Sequence, residues 1–140
     1  MANGKIKADT LEHSTAGSLD TKSVVNGSAK AWVFYNNLQA ISDSFSVSSI
    51  TDRANGRHTI NISSAMANAT YTVAGQGSWR DGSSDANTLQ LTFERLNTVA
   101  ITTTACPVQT SYYGATGNLG DATATTADIH GDLALSLIHI

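Results

Sequence analysis

Disulfide chemistry within one molecule is closed to this chain: Cys106 is its single cysteine, so no intramolecular bridge can form and no metal site can be built from cysteine pairs. The residue reads as a small buried hydrophobe. Charge is also scarce. Asp, Glu, Lys and Arg make up 14% of the residues, the net charge is −3, and the eight Lys and Arg are spread singly, without the clustered basic face that a phosphate backbone demands. Nucleic acid is not an expected partner. No run approaches the roughly 20 apolar residues of a membrane-spanning helix, and the opening Met1–Asp9 is too polar for the core of a secretory signal. The expectation is a chain made in a cytoplasm and not inserted in a membrane, in which the sequon matches at Asn26, Asn61 and Asn68 carry no glycan.

In place of charge the chain carries Ser, Thr, Asn and Gly. β-Branched Thr packs on pleated sheets, and Ser, Asn and Gly serve tight turns, so this polar balance favours strands over helices. The 140 residues make one ordinary domain with room for a real core. Alternation supplies the strands: Ile60–Ile62, Tyr71–Val73, Leu89–Phe93 and Val99–Thr103 each set apolar residues two apart, on one face. Turn formers lie between them at Asp52–Gly56, Gly75–Gly77, Arg80–Asp85 and Leu96–Thr98. With no amphipathic helical run of a dozen residues, the pattern predicts an all-β fold, an antiparallel β-sandwich over residues 28–134.

Aromatics are few, 6% of the chain, yet Trp32, Phe34 and Tyr35 crowd into one stretch. On a strand, Trp32 and Phe34 share one face and Val33 and Tyr35 the other, so both faces need cover. This predicts a central strand or one at a subunit interface. Phe45, Val47 and Ile50 form the next strand, with a break in alternation before Ile50. Residues 1–27 hold too few apolar groups for an independent core and are expected to be an extended arm that lies on another surface. The final Leu135–Ile140, LSLIHI, matches the in-frame translation of a transposase end carried by sequencing libraries. The expectation is therefore a natural terminus at or near Ala134, and residues 135–140 are set aside as not native.

The segments "IKADTLEHSTAGSLDTKSVVNGSAKAWVFYN", "AISDSFSVSSITD", "HTINISSAMANATYTVAG" and "IHGDLA" follow in order over most of the chain, and together they resemble a family of small tailed-bacteriophage virion and tail-fibre proteins from environmental phages. The chain departs from that pattern at "NNLQ" and "AMANATY". The resemblance implies a virion protein, made in the host cytoplasm, whose arm meets other virion proteins. Ile60–Ile101 is similar in layout to H-type lectin domains, small trimeric sandwiches that bind sugars; this implies a fold and a homotrimer rather than a ligand.

Catalytic constellations are missing from the sequence: there is no nucleophile elbow, phosphate-cradling loop or His-Glu-x-x-His. No enzyme activity and no cofactor are expected. His13, His58 and His130 are far apart in polar, turn-like contexts and read as surface or interface histidines rather than metal ligands, although His13 or His130 could meet its copies on a trimer axis. Arg80–Asn87 lacks the closing Glu of a calcium loop. For sugar recognition, an aromatic face beside planar polar groups is needed. The candidates are Trp79, Arg80 and Asp81, and Tyr112 and Tyr113; Trp32, Val33, Phe34 and Tyr35 are the candidate interface. The sequence thus predicts a trimeric receptor-binding module for host surface polysaccharide, with a decoration protein without a ligand as the alternative and a polysaccharide depolymerase as the lesser one.

Overall fold

The computed structural model describes residues 8–14, 17–79, 87–94, 99–112 and 119–134. The described residues are all-β, as the alternation predicts, apart from one short helix. A hairpin of β1 (Thr10–His13) and β2 (Gly17–Asp20) leads into α1 (Thr21–Gly27). Eight further strands follow: β3 (Ala31–Asn36), β4 (Ile41–Phe45), β5 (Val47–Ala54), β6 (Arg57–Ile62), β7 (Thr72–Trp79), β8 (Asn87–Phe93), β9 (Ala105–Tyr112) and β10 (Ala124–His130). They form one antiparallel sheet in the order β4-β3-β10-β7-β8-β9-β6-β5.

Both ends of that order belong to one bent segment. Only Ser46, with φ of 55°, separates β4 from β5. Residues 41–45 pair with β3 and residues 47–54 pair with β6, so the segment switches partners at the bend and the sheet rolls into a nearly closed, sandwich-like barrel. The bend keeps its backbone satisfied, since the Ser46 carbonyl accepts from Ser63 N at 2.9 Å and its hydroxyl from Ser64 N at 3.2 Å. The irregular alternation before Ile50 has a cause in the register shift between Val47 and Ser49.

The inward faces meet in a core of Val33 and Tyr35, Ile60 and Ile62, Leu91, Cys106 and Val108, Ala127 and Ile129, closed at one end by Met66 and Tyr71. Two sequence readings change here. Gly75 and Gly77, expected in a turn, lie inside β7. A Cβ on Gly75 would stand 2.1 Å from the Thr126 carbonyl oxygen, and one on Gly77 would stand 2.8 Å from Ala122 Cβ. The glycines let β10 and β8 approach β7 closely, so they shape the roll instead of ending a strand. Residues 99–103, expected as a strand, are irregular. The Thr102 hydroxyl accepts from Ala105 N at 3.0 Å and Thr102 N donates to the Ala105 carbonyl at 3.0 Å, which closes a turn and delays the strand to Ala105.

The described part of the arm, residues 8–14 and 17–27, is folded where it was expected to be extended. Thr21 starts α1 with its hydroxyl donating to the Ala8 carbonyl at 2.7 Å. Buried Lys30 donates from Nζ to the Val25 carbonyl and to Ser28 Oγ at 3.1 Å, placing a cation at the helix C-terminus. Lys30 N then donates to the Ile129 carbonyl at 2.8 Å, which ties the end of the arm to β10. The hairpin β1–β2 forms a sheet of its own. Residues 135–140 lie outside the described residues. Among the described residues no helix is long and apolar enough to cross a membrane.

Candidate functional site

β3 has one dry face and one open face. Val33 and Tyr35 are buried, whereas Trp32 is half-buried and Phe34 is 41% exposed. The predicted facing is right, and among the described residues the outer side is only partly covered. Register extends it across the sheet. Phe34 lies opposite Asp43 on β4 and Thr126 on β10; Thr126 lies opposite Gln76 on β7, and Gln76 opposite Gln90 on β8. Residues in register on adjacent strands point the same way, so a carboxylate, an aromatic ring, a hydroxyl and two amides stand in one row on the outer surface. Trp32 makes a parallel row with Phe45, 55% exposed, on one side and Asp128 on the other.

A groove of about 200 Å³ runs beside Phe34, lined by Gln76, Gly77, Ser78, Ala124 and Thr126. It is small against the roughly 300–1,000 Å³ of sites that enclose drug-sized ligands, so it has room for one ring. Thr126 Oγ1 donates weakly to the Gln76 main-chain carbonyl at 3.4 Å, and Gln76 is exposed. Ring face and neutral planar polar groups are the combination that recognises a sugar.

The residues singled out for sugar binding lie elsewhere. Trp79 ends β7 opposite Asn87, and Tyr112 ends β9 opposite Leu89, so both occupy the same end of the β7-β8-β9 sheet. Arg80, Asp81 and Tyr113 lie outside the described residues, as does most of the loop Arg80–Asn87.

His58 overturns its reading as a surface histidine. Its alternation with Ile60 and Ile62 turns it inward, and it is 1% exposed. Nδ1 is 3.3 Å from the Tyr35 hydroxyl, with the two rings edge-on. Nε2 is 3.3 Å from Gln39 Nε2, in the β3–β4 turn, and 3.6 Å from Asp121 Oδ1, which also accepts from Gly56 N at 2.5 Å. Burial holds the imidazole below its ordinary pKa of 6.5, against the opposing pull of Asp121 and Asp52. Burial likewise raises Tyr35, whose hydroxyl therefore stays protonated. Thr125 acts on the Tyr35 hydroxyl from nearby, yet its own Oγ1 is buried outside hydrogen-bonding geometry with any described residue. With both ring nitrogens engaged inside the barrel, this cluster joins strands.

A second buried charge cluster sits at the end of β8. The Glu94 side chain is fully enclosed, with Arg53 Nη1 in contact with Oε2 and Arg57 Nε 3.8 Å from Oε1. Among the described residues no group of three His, Cys, Asp or Glu is placed to hold a metal ion.

Sequence reasoning picked Trp32 and Phe34 but missed Asp43, Thr126, Gln76 and Gln90. Alternation marks each as outward-facing; only the pairing of distant strands makes them neighbours. Compared with known proteins, the chain matches no family model, no curated protein and no solved structure.

Proposed function

We propose that the chain is a non-enzymatic structural module of a tailed-phage virion, a trimeric tail-fibre or receptor-binding unit that meets host surface glycans on the outer face of β3, β10 and β7. The virion assignment rests on the resemblance of the segments quoted above. The site rests on one observation: Phe34, 41% exposed, stands beside Thr126 and Gln76 at a groove of about 200 Å³, the size of a single ring. Neutral amide and hydroxyl groups line the groove while Asp43 and Asp128 flank it, so a neutral or amino sugar suits it better than an anionic one. The Trp32–Phe45 pair beside it is the surface for a second copy, and the hairpin with α1 is the piece that docks on the particle.

A glycan array probed with the full chain tests the reading. Binding that is lost in Phe34→Ala and Gln76→Ala, with the fold intact by circular dichroism, supports it. Light scattering reads the trimer, which Trp32→Ala together with Phe45→Ala should dissociate. A trimer that binds no glycan favours a decoration protein, the reading that the aromatic pair alone would support.

A further inference from the structure

The groove beside Phe34 takes its lining from three neighbouring strands: Phe34 on β3, Ala124 and Thr126 on β10, and Gln76 and Ser78 on β7. It therefore crosses the strands. Register carries the same line past the groove, because Gln90 on β8 lies opposite Gln76 and Ser111 on β9 lies opposite Gln90. Paired residues on adjacent strands point to the same side of a sheet, so Phe34, Thr126, Gln76, Gln90 and Ser111 form one transverse row on the outer surface. The first four are exposed and Ser111 is half-buried. With strands about 4.8 Å apart, the row is about 19 Å long. A groove with room for one ring takes up only its first part.

Charge is absent from the row between Phe34 and Ser111, and Asp43, opposite Phe34 on β4, closes one end of it. Along one flank Ala124 lies opposite Ser78, and along the other Asp128 lies opposite Ala74. Only Asp128 brings charge to those borders. Past the ring, each member of the row offers a hydroxyl or an amide, groups that both donate and accept as sugar hydroxyls do. The strand spacing of about 4.8 Å is close to the advance of one sugar unit along an extended chain, so successive units meet successive strands. An extended peptide is a poorer fit. The backbone groups of β10, β7 and β8 pair with neighbours on both sides, which leaves no edge here for an added strand.

We propose that this row is a track for an extended, neutral polysaccharide chain, with one sugar unit stacked on Phe34 and the following units hydrogen-bonded in turn to Gln76, Gln90 and Ser111. The inference rests on the reading of the outer face as a glycan surface. It adds that the ligand is a run of sugar units, held from β3 to β9, instead of a single terminal sugar.

Isothermal titration calorimetry of the full chain against chito-oligosaccharides of one to six units tests the track. These fragments are neutral, equatorially linked and extended; malto-oligosaccharides, whose axial linkages curl the chain, are the control. Affinity should climb with each unit and level off at about four, the number that a row of about 19 Å accommodates. At equal length the malto series should bind more weakly. Gln90→Ala and Ser111→Ala should each weaken the longest fragments roughly fivefold, the factor carried by one ordinary hydrogen bond, and the loss should grow with fragment length. Circular dichroism checks that both variants keep the fold. A single sugar that binds as tightly as the hexamer overturns the track and leaves the glycan reading standing. So does a hexamer affinity unmoved in Gln90→Ala and Ser111→Ala but lost in Phe34→Ala. Glycan-array hits with the chito series silent also overturn the track alone, whereas silence in both series and on the array overturns the glycan reading with it.

Discussion

The Tyr35 hydroxyl and His58 Nδ1 stand 3.3 Å apart, with ring centroids at 5.5 Å and planes at 84°, and so join β3 to β6, two strands that are not hydrogen-bonded neighbours in the sheet. Between them passes the segment bent at Ser46, which pairs with β3 by one half and with β6 by the other. The contact therefore closes, from inside, the seam that backbone pairing leaves open.

Stability should fall as this contact is protonated. The unfolded chain binds a proton on His58 near pH 6.5 and the folded chain binds it more weakly, because burial depresses the pKa. The contribution is thus full above pH 6.5 and is lost as pH drops from there to the folded-state value, at up to about 1.4 kcal/mol per pH unit. Urea unfolding of wild type and His58→Gln at pH 8, 6 and 5 reads it: the difference between them should shrink on acidification, and a constant difference would refute the assignment.

Gly75→Ala should destabilise the chain by about 3 kcal/mol or more, since the new methyl would stand 2.1 Å from the Thr126 carbonyl oxygen, a backbone atom that cannot yield alone. Gly27→Ala, where nothing lies within 4 Å, should stay within about 0.5 kcal/mol. Equal unfolding midpoints for the two variants would show that close approach at β7 does not govern the roll.

Removing the charge of the enclosed Glu94 leaves Arg53 and Arg57 facing an amide. Glu94→Gln should cost about 3 kcal/mol, the scale seen when one partner of a buried ion cluster is deleted. Thermal unfolding by calorimetry measures it, and a midpoint within a degree of wild type would place the cluster among interactions of no net worth.

Cys106 is completely buried, and burial pushes its thiol up to about 12. A thiol reagent at pH 8 should therefore label it only at the rate of unfolding, and labelling should become immediate in denaturant. Prompt labelling of the native chain would mean that the core opens locally far more often than its packing implies.

Much of the barrel was legible from local pattern. Leu89–Phe93 became β8, Asn55 and Gly56 form the turn between β5 and β6 with Gly56 at φ of 67°, and Val33 and Tyr35 face inward. The misreadings share a cause. Glycine signals a turn when the backbone must reverse and a close approach when a neighbouring strand presses on it, and these look alike at Gly75 and Gly77 until β10 is in place. His58 was read by its polarity, whereas the alternation it keeps with Ile60 and Ile62 carries it into the core.

What the sequence by itself determined is the strand content and the facing of each side chain, because a period of two is a property of the extended backbone alone. Which strands become neighbours was decided only by the tertiary structure, through burial of all eight inner faces at once. That choice set Thr126 and Gln76 beside Phe34, and it brought Tyr35, His58 and Asp121, from distant points of the chain, into one polar cluster.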